Sequence, residues 1–248
     1  MLQIWLRQTL SRKLSSSIIQ LFIPYRSTYD DSFLSKREYW HQKYNEKQTK
    51  KRMEWLLDNP KELVQVILSF LNTHLQHTRK DYIHIIDIGC GTSSVLLQLQ
   101  KEIYFPSNLW CVDYVTKCLH DQRHNFMRTC HNSNKCKMYF VTADVTALPF
   151  RDRLFDVMID KGTLDSVLKD KKNGTELAMY MLKEAIRTLA PGGVMLQVTD
   201  EDPDCRLTLL DKIIILHDDL SVSFKSLFNE CGTECFIFTI TKKDYMKH

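Results

Sequence analysis

Asp87, Asp113, Asp144, Asp160 and Asp200 each close or directly follow a short apolar, β-branched run. The first belongs to Ile85-Ile86-Asp87-Ile88-Gly89-Cys90-Gly91-Thr92-Ser93, where a buried strand gives way to Gly-x-Gly and a helix start. Glycines at Gly89 and Gly91 let backbone N–H groups come close to a bound nucleotide, because no Cβ intervenes. Asp113 lies 24 residues beyond Gly89, where an acid accepts both hydroxyls of a ribose. A carboxylate suits that task, being acceptor-only with two oxygens. Asp144 could accept from an adenine amino group, with Val145 offering a backbone N–H to the ring. Asp160-Lys161 and Thr199-Asp200 would then face the reacting end of the ligand. Taken singly, each acid would serve equally well as a helix cap or turn former. The series of three at this spacing points to a nucleoside-bearing cofactor.

These residues need strands to carry them to one edge. The pattern predicts strands at 83–88, 109–113, 138–142, 155–160 and 194–199, with helices near 92–102, 115–127 and 175–189. Alternation of this kind implies a doubly wound, Rossmann-like parallel sheet, whose ligands sit beyond the carboxyl ends of the strands. Two further strands, 220–228 and 233–242, read as an antiparallel pair and bring the sheet to seven. Pro191-Gly192-Gly193 is expected to end the preceding helix and turn the chain into strand 5. Upstream, Leu63, Ile67, Phe70, Leu71 and Leu75 mark an amphipathic helix, and residues 31–59 form a polar segment containing Tyr39-Trp40.

Of 248 residues, 34 are basic and 30 acidic. Arg7, Arg12, Lys13 and Arg26 account for the whole net charge of +4, so the rest of the chain is formally neutral. That argues against a nucleic-acid binder, which concentrates positive charge on its folded domain. No apolar run reaches the ~18–20 residues that span a bilayer. Residues 1–29 hold arginines, the cluster Ser15-Ser16-Ser17 and no acid, the composition of a mitochondrial transit peptide. The chain thus divides into a transit peptide at 1–29, an N-terminal segment and helix at 30–80, and a catalytic domain at 81–248. The eight cysteines show no disulfide framework and no zinc-finger spacing, so reduced thiols and no metal are expected.

Asp-x-Gly-x-Gly resembles motif I of the class I S-adenosylmethionine (SAM) methyltransferases, and Ser94 replaces the third glycine that an NAD site uses. Asp160-Lys161-Gly162-Thr163-Leu164-Asp165 is similar to a motif of the seven-β-strand protein-lysine methyltransferases. Glu38-Tyr39-Trp40-His41-Gln42-Lys43-Tyr44 resembles their N-terminal segment, which folds over the cofactor, and Trp55 stands where that group has a further tryptophan. The run Thr199–Leu207, with Asp-Glu-Asp-Pro-Asp, is similar to the mitochondrial branch whose substrate is citrate synthase. The resemblance implies SAM contacts from Trp40, Tyr44, Trp55, Asp87, Gly89, Gly91, Asp113, Tyr114, Asp144, Val145 and Lys161. It also implies methyl transfer to a lysine; Asp160 and Asp200, at the ends of strands 4 and 5, are then the candidate acceptors that orient the amine. A non-catalytic relative of the same fold would be expected to lose Asp113 and Asp144, and both are present.

Overall fold

The computed structural model describes residues 30–46, 54–57, 59–75, 80–129, 136–228 and 232–244. The transit-peptide assignment falls on residues 1–29, outside the described residues. By contacts the chain divides into Met1–Asp31 and Ser32–His248.

Strand β1 (Ile83–Ile88) is the apolar run before the glycine turn, and every residue in it except His84 is buried. Continuous burial of this kind is what a central parallel strand covered on both faces requires. It pairs in parallel with β2 (Ser107–Asp113) and β4 (Phe155–Lys161). Strand β3 (Cys136–Thr142) flanks β2, and β5 (Leu189–Thr199) flanks β4, again in parallel. Antiparallel β7 (Glu234–Lys242) and β6 (Leu220–Phe228) complete a seven-stranded sheet of order β3-β2-β1-β4-β5-β7-β6. The strand order reverses between β1 and β4, and a crevice opens beyond their carboxyl ends.

Successive side chains of each strand point to opposite faces. Ile83 and Ile85 join the cluster under α2 (Lys61–Leu75), α3 (Val95–Glu102) and α4 (Thr116–Thr129). Ile86 and Ile88 join the cluster under α5 (Thr163–Leu168), α6 (Gly174–Thr188) and α7 (Pro203–Ile214).

Three helices were not legible in the pattern. One is α1 (Arg37–Asn45), within the segment read as polar; the others are α5 and α7. In α7, Pro203 occupies the first turn and Asp202 caps it, accepting from the backbone N–H groups of Asp204 (2.9 Å) and Cys205 (3.4 Å). Part of the acidic run is therefore helix-capping chemistry. Pro191-Gly192-Gly193 does not end the helix, which has already stopped at Thr188. It lies inside β5 as a bulge, where the register against β4 shifts between Phe155 and Val157.

Candidate active site

An open cavity, about 620 Å³ when the solvent space at its opening is included, occupies the crevice at the strand-order reversal. Its floor is the turn after β1, and its sides are the end of β2, the end of β4 with the start of α5, and the segment bearing Trp40, Tyr44 and Trp55.

Glycines on the cavity wall allow close packing. Gly91 holds φ +50°, and a Cβ there would sit 2.6 Å from the Tyr44 hydroxyl. Gly162 holds φ +82°, and a Cβ there would meet the Trp55 indole at 2.5 Å. Aromatic side chains from the N-terminal segment thus lie directly against glycine backbone. Trp40 packs on Tyr44 (centroids 5.8 Å apart) and edge-on to Trp55 (5.9 Å), and its indole N–H donates to the Leu34 carbonyl at 2.6 Å. The Arg37 guanidinium lies 5.3 Å over the Tyr114 ring and donates to the Tyr114 carbonyl, tying α1 to the end of β2.

Asp113 is buried at the end of β2. Its Oδ2 accepts from the Gly91 N–H at 2.9 Å and its Oδ1 from the Val115 N–H at 2.8 Å. Burial pushes its pKa up while those two N–H groups pull it down. The Cys118 thiol also interacts with this carboxylate, whose two oxygens have acceptor capacity beyond the two N–H groups, as a ribose diol requires. Asp87 is wholly buried on the cavity wall, and desolvation pushes it up to about 7 against the pull of the Lys161 ammonium. Lys161 is lowered by the same burial, partly offset by Glu54 and Asp87. Its Nζ donates to the Trp55 carbonyl at 2.9 Å and lies 3.5 Å from the Glu54 carboxylate.

Glu54 was invisible to spacing arguments. Its carboxylate accepts from Ser93 Oγ at 2.9 Å and from the Ser94 N–H at 2.7 Å, and also from Ser94 Oγ. It sits at the N-terminus of α3, where a negative charge is favoured. Thr163 is a second residue missed. Its hydroxyl donates to the Ile88 carbonyl at 3.0 Å and pins α5 against the glycine turn. Ser166 also reaches the wall. Only the motif around Asp160–Asp165 gave any hint of these two.

Of the residues expected at the cofactor, Trp40, Tyr44, Trp55, Asp87, Gly89, Gly91, Asp113, Tyr114 and Lys161 all line the cavity. Asp144 and Val145 do not. Asp144 is exposed and its Oδ1 accepts from the backbone N–H and hydroxyl of Thr146, while Val145 is buried in the core beneath α5–α7. Asp160 and Asp200 are likewise off the wall. Asp160 follows Ile159 and precedes Lys161, so it projects to the other face of the sheet from Lys161. There its Oδ1 caps α5, accepting from the N–H groups of Thr163 (2.9 Å) and Leu164 (3.2 Å). Asp200 is exposed beyond the end of β5.

The sheet order, the glycine turn and the Asp113 carboxylate define a class I methyltransferase, the SAM-dependent class. The residues fit that cofactor: the positive-φ glycines Gly89 and Gly91 lining the cavity, the Asp113 carboxylate, and an aromatic wall for a sulfonium cation. Residues 79–247 match the model of the Methyltransferase domain family, and the chain belongs to that family. It is 29% identical over 188 residues to the mitochondrial citrate synthase-lysine N-methyltransferase of Danio rerio, covering 72% of each chain. Against the human protein of that name it is 30% identical over 138 residues, 52% of this chain and 56% of the relative. The human eEF1A lysine and N-terminal methyltransferase is 30% identical over 161 residues, 65% of this chain and 20% of that one. Among solved structures, the plantazolicin methyltransferase BpumL in complex with SAH superposes with a TM-score of 0.54 at 14% identity, covering 82% of this chain and 94% of that one. That likeness bears on the fold alone.

Proposed function

We propose that the chain is a protein-lysine N-methyltransferase of the mitochondrial matrix whose substrate is citrate synthase. The similarity to the zebrafish enzyme over 72% of both chains carries this reading. The arginine-bearing, acid-free residues 1–29 support the location. The similarity to eEF1A methyltransferases favours a second reading, in which the substrate is another protein.

In this reading Asp113 accepts the ribose hydroxyls, the Gly89–Gly91 backbone lies along the cofactor, and Trp40, Tyr44 and Trp55 cover it. SAM supplies a methyl group already activated on a sulfonium. The protein therefore needs no covalent intermediate. Its work is to align an amine lone pair with the methyl and to keep water out. A lysine with an ordinary pKa near ~10.4 must arrive neutral, and an apolar, aromatic-walled entry lowers that pKa by desolvation. A permanent carboxylate at the amine would oppose that loss of a proton. Asp160, facing away from the cavity, acts in this scheme as the cap of α5. Asp200 remains a candidate to orient an incoming lysine at the mouth.

The test is to incubate the purified protein with methyl-labelled SAM and separate mitochondrial and cytosolic extracts. A labelled band at the mass of citrate synthase in the mitochondrial extract is expected. Label confined to a cytosolic protein would favour the second reading, and label in small molecules alone would contradict both.

A further inference from the structure

Asp160, Asp165, Thr199 and Arg206 come from β4, α5, β5 and α7 and gather on the sheet face away from the cofactor cavity. Arg206 is 2% exposed, the largest of the fully buried side chains. Its Nη2 donates to Asp165 Oδ1 and, at 3.2 Å, to Thr199 Oγ1. The Thr199 hydroxyl in turn donates to the same Asp165 oxygen at 2.8 Å. Among the described residues, Nε and Nη1 of Arg206 and Oδ2 of both Asp165 and Asp160 find no hydrogen-bond partner.

A buried ion pair left partly unsatisfied is a poor source of stability, and apolar residues of like volume often replace one without loss. Location gives this one a purpose. Helix α5 is six residues long, too short to hold its own place. Yet it carries Thr163 and Ser166 on the cavity wall, with Asp165 between them. Opposite it, α7 opens at the exposed acidic turn 200–204 and sends Arg206 inward from its first turns.

We infer that Arg206 is a positioning residue for methyl transfer. Its guanidinium holds Asp165 against Thr199, fixing the α5 wall of the cavity relative to β5 and to the acidic turn that follows it. It touches neither cofactor nor substrate. Removing it loosens the alignment of the reacting groups more than the binding of the cofactor. The inference rests on the methyltransferase reading above, whichever protein is the acceptor.

Two conservative variants test it. Arg206→Lys keeps the charge but cannot bridge both partners, and Thr199→Val keeps the shape but removes the hydroxyl. SAM affinity and stoichiometry are read by calorimetry, and the methyl-transfer rate is read in a single turnover at saturating SAM, per SAM bound. Both variants are expected to bind SAM within ~3-fold of wild type and to transfer methyl ~10-fold more slowly or worse, since a misplacement of about 1 Å suffices for such losses. Wild-type rates per bound SAM, with only the melting temperature or the competent fraction reduced, would overturn the inference. Should Arg206→Lys fail to fold, Thr199→Val decides alone. No transfer by the wild-type protein to any acceptor would overturn the functional reading and this inference together, whereas active wild type with equally active variants overturns only this one.

Discussion

At the residue scale, the site turns on which way each acid points. Asp113 ends β2 with its oxygens held by two backbone N–H groups and is preset to accept from a diol. Asp113→Ala is expected to weaken SAM binding by roughly 100-fold, the loss of hydrogen bonds to a charged group, measurable by calorimetry. An unchanged affinity would remove Asp113 from the cofactor site. Asp160 has a different role, with a pH signature. Desolvation first, and the neighbouring Asp165 second, push its carboxyl up to about 7. The folded state therefore holds a proton that the unfolded state has released, and stability falls as pH rises through the window from 3.8 to about 7. Asp160→Asn keeps the capping oxygen but cannot ionise. Its unfolding free energy relative to wild type is expected to climb across that window, by at most about 1.4 kcal/mol per pH unit, and to level off above it. A flat difference would contradict the assignment. The acids were legible by spacing, and Asp87 and Asp113 line the cavity as expected. Asp144 and Asp160 lie off the cavity wall, which spacing alone does not foresee: Asp160 takes the other strand face from Lys161, Asp144 sits in the exposed loop after β3, and local N–H groups hold both.

At the element scale, β1, β4 and β5 were readable because buried parallel strands are continuous apolar runs. The edge strand β3 and the antiparallel C-terminal pair were readable from β-branched and aromatic residues. Helix α1 was not. Arg37–Asn45 has little apolar periodicity, and what holds it is tertiary: the Trp40 contacts and the Arg37 link to Tyr114. The bulge at Pro191-Gly192-Gly193 was read as a turn because the same residues serve both purposes. Glu54 is the element-scale clamp, joining the Trp55 segment to α3 through Ser93 and Ser94 and to β4 through Lys161. Glu54→Gln retains most of the hydrogen-bonding shape but takes the Glu54 charge from the Lys161 ammonium, which keeps only the Trp55 carbonyl and Asp87. SAM affinity is expected to fall about 10-fold, mainly through faster dissociation seen by stopped flow, because losing a charged partner costs on the order of 1.5–3 kcal/mol. Dissociation as slow as wild type would mean the aromatic segment closes without this clamp.

At the scale of the whole molecule, one sheet does two jobs on its two faces. The face under α2–α4 leads into the cofactor cavity, with Lys161 and the aromatic segment. The face under α5–α7 holds a buried ionic cluster that braces the opposite wall. Motifs that look contiguous in the chain, such as Asp160–Asp165, are split between the two faces by strand alternation. The substrate is not written in the fold, which many chemistries share. It rests on similarity to relatives and on the composition of residues 1–29. The most direct measurement is therefore peptide mass spectrometry of purified citrate synthase after incubation with SAM and the protein, beside a parallel reaction with Asp113→Ala. Methylation at a defined lysine with wild type, absent or strongly reduced with Asp113→Ala, is the predicted result. Unmodified citrate synthase in the presence of SAM-bound wild-type protein would contradict the account.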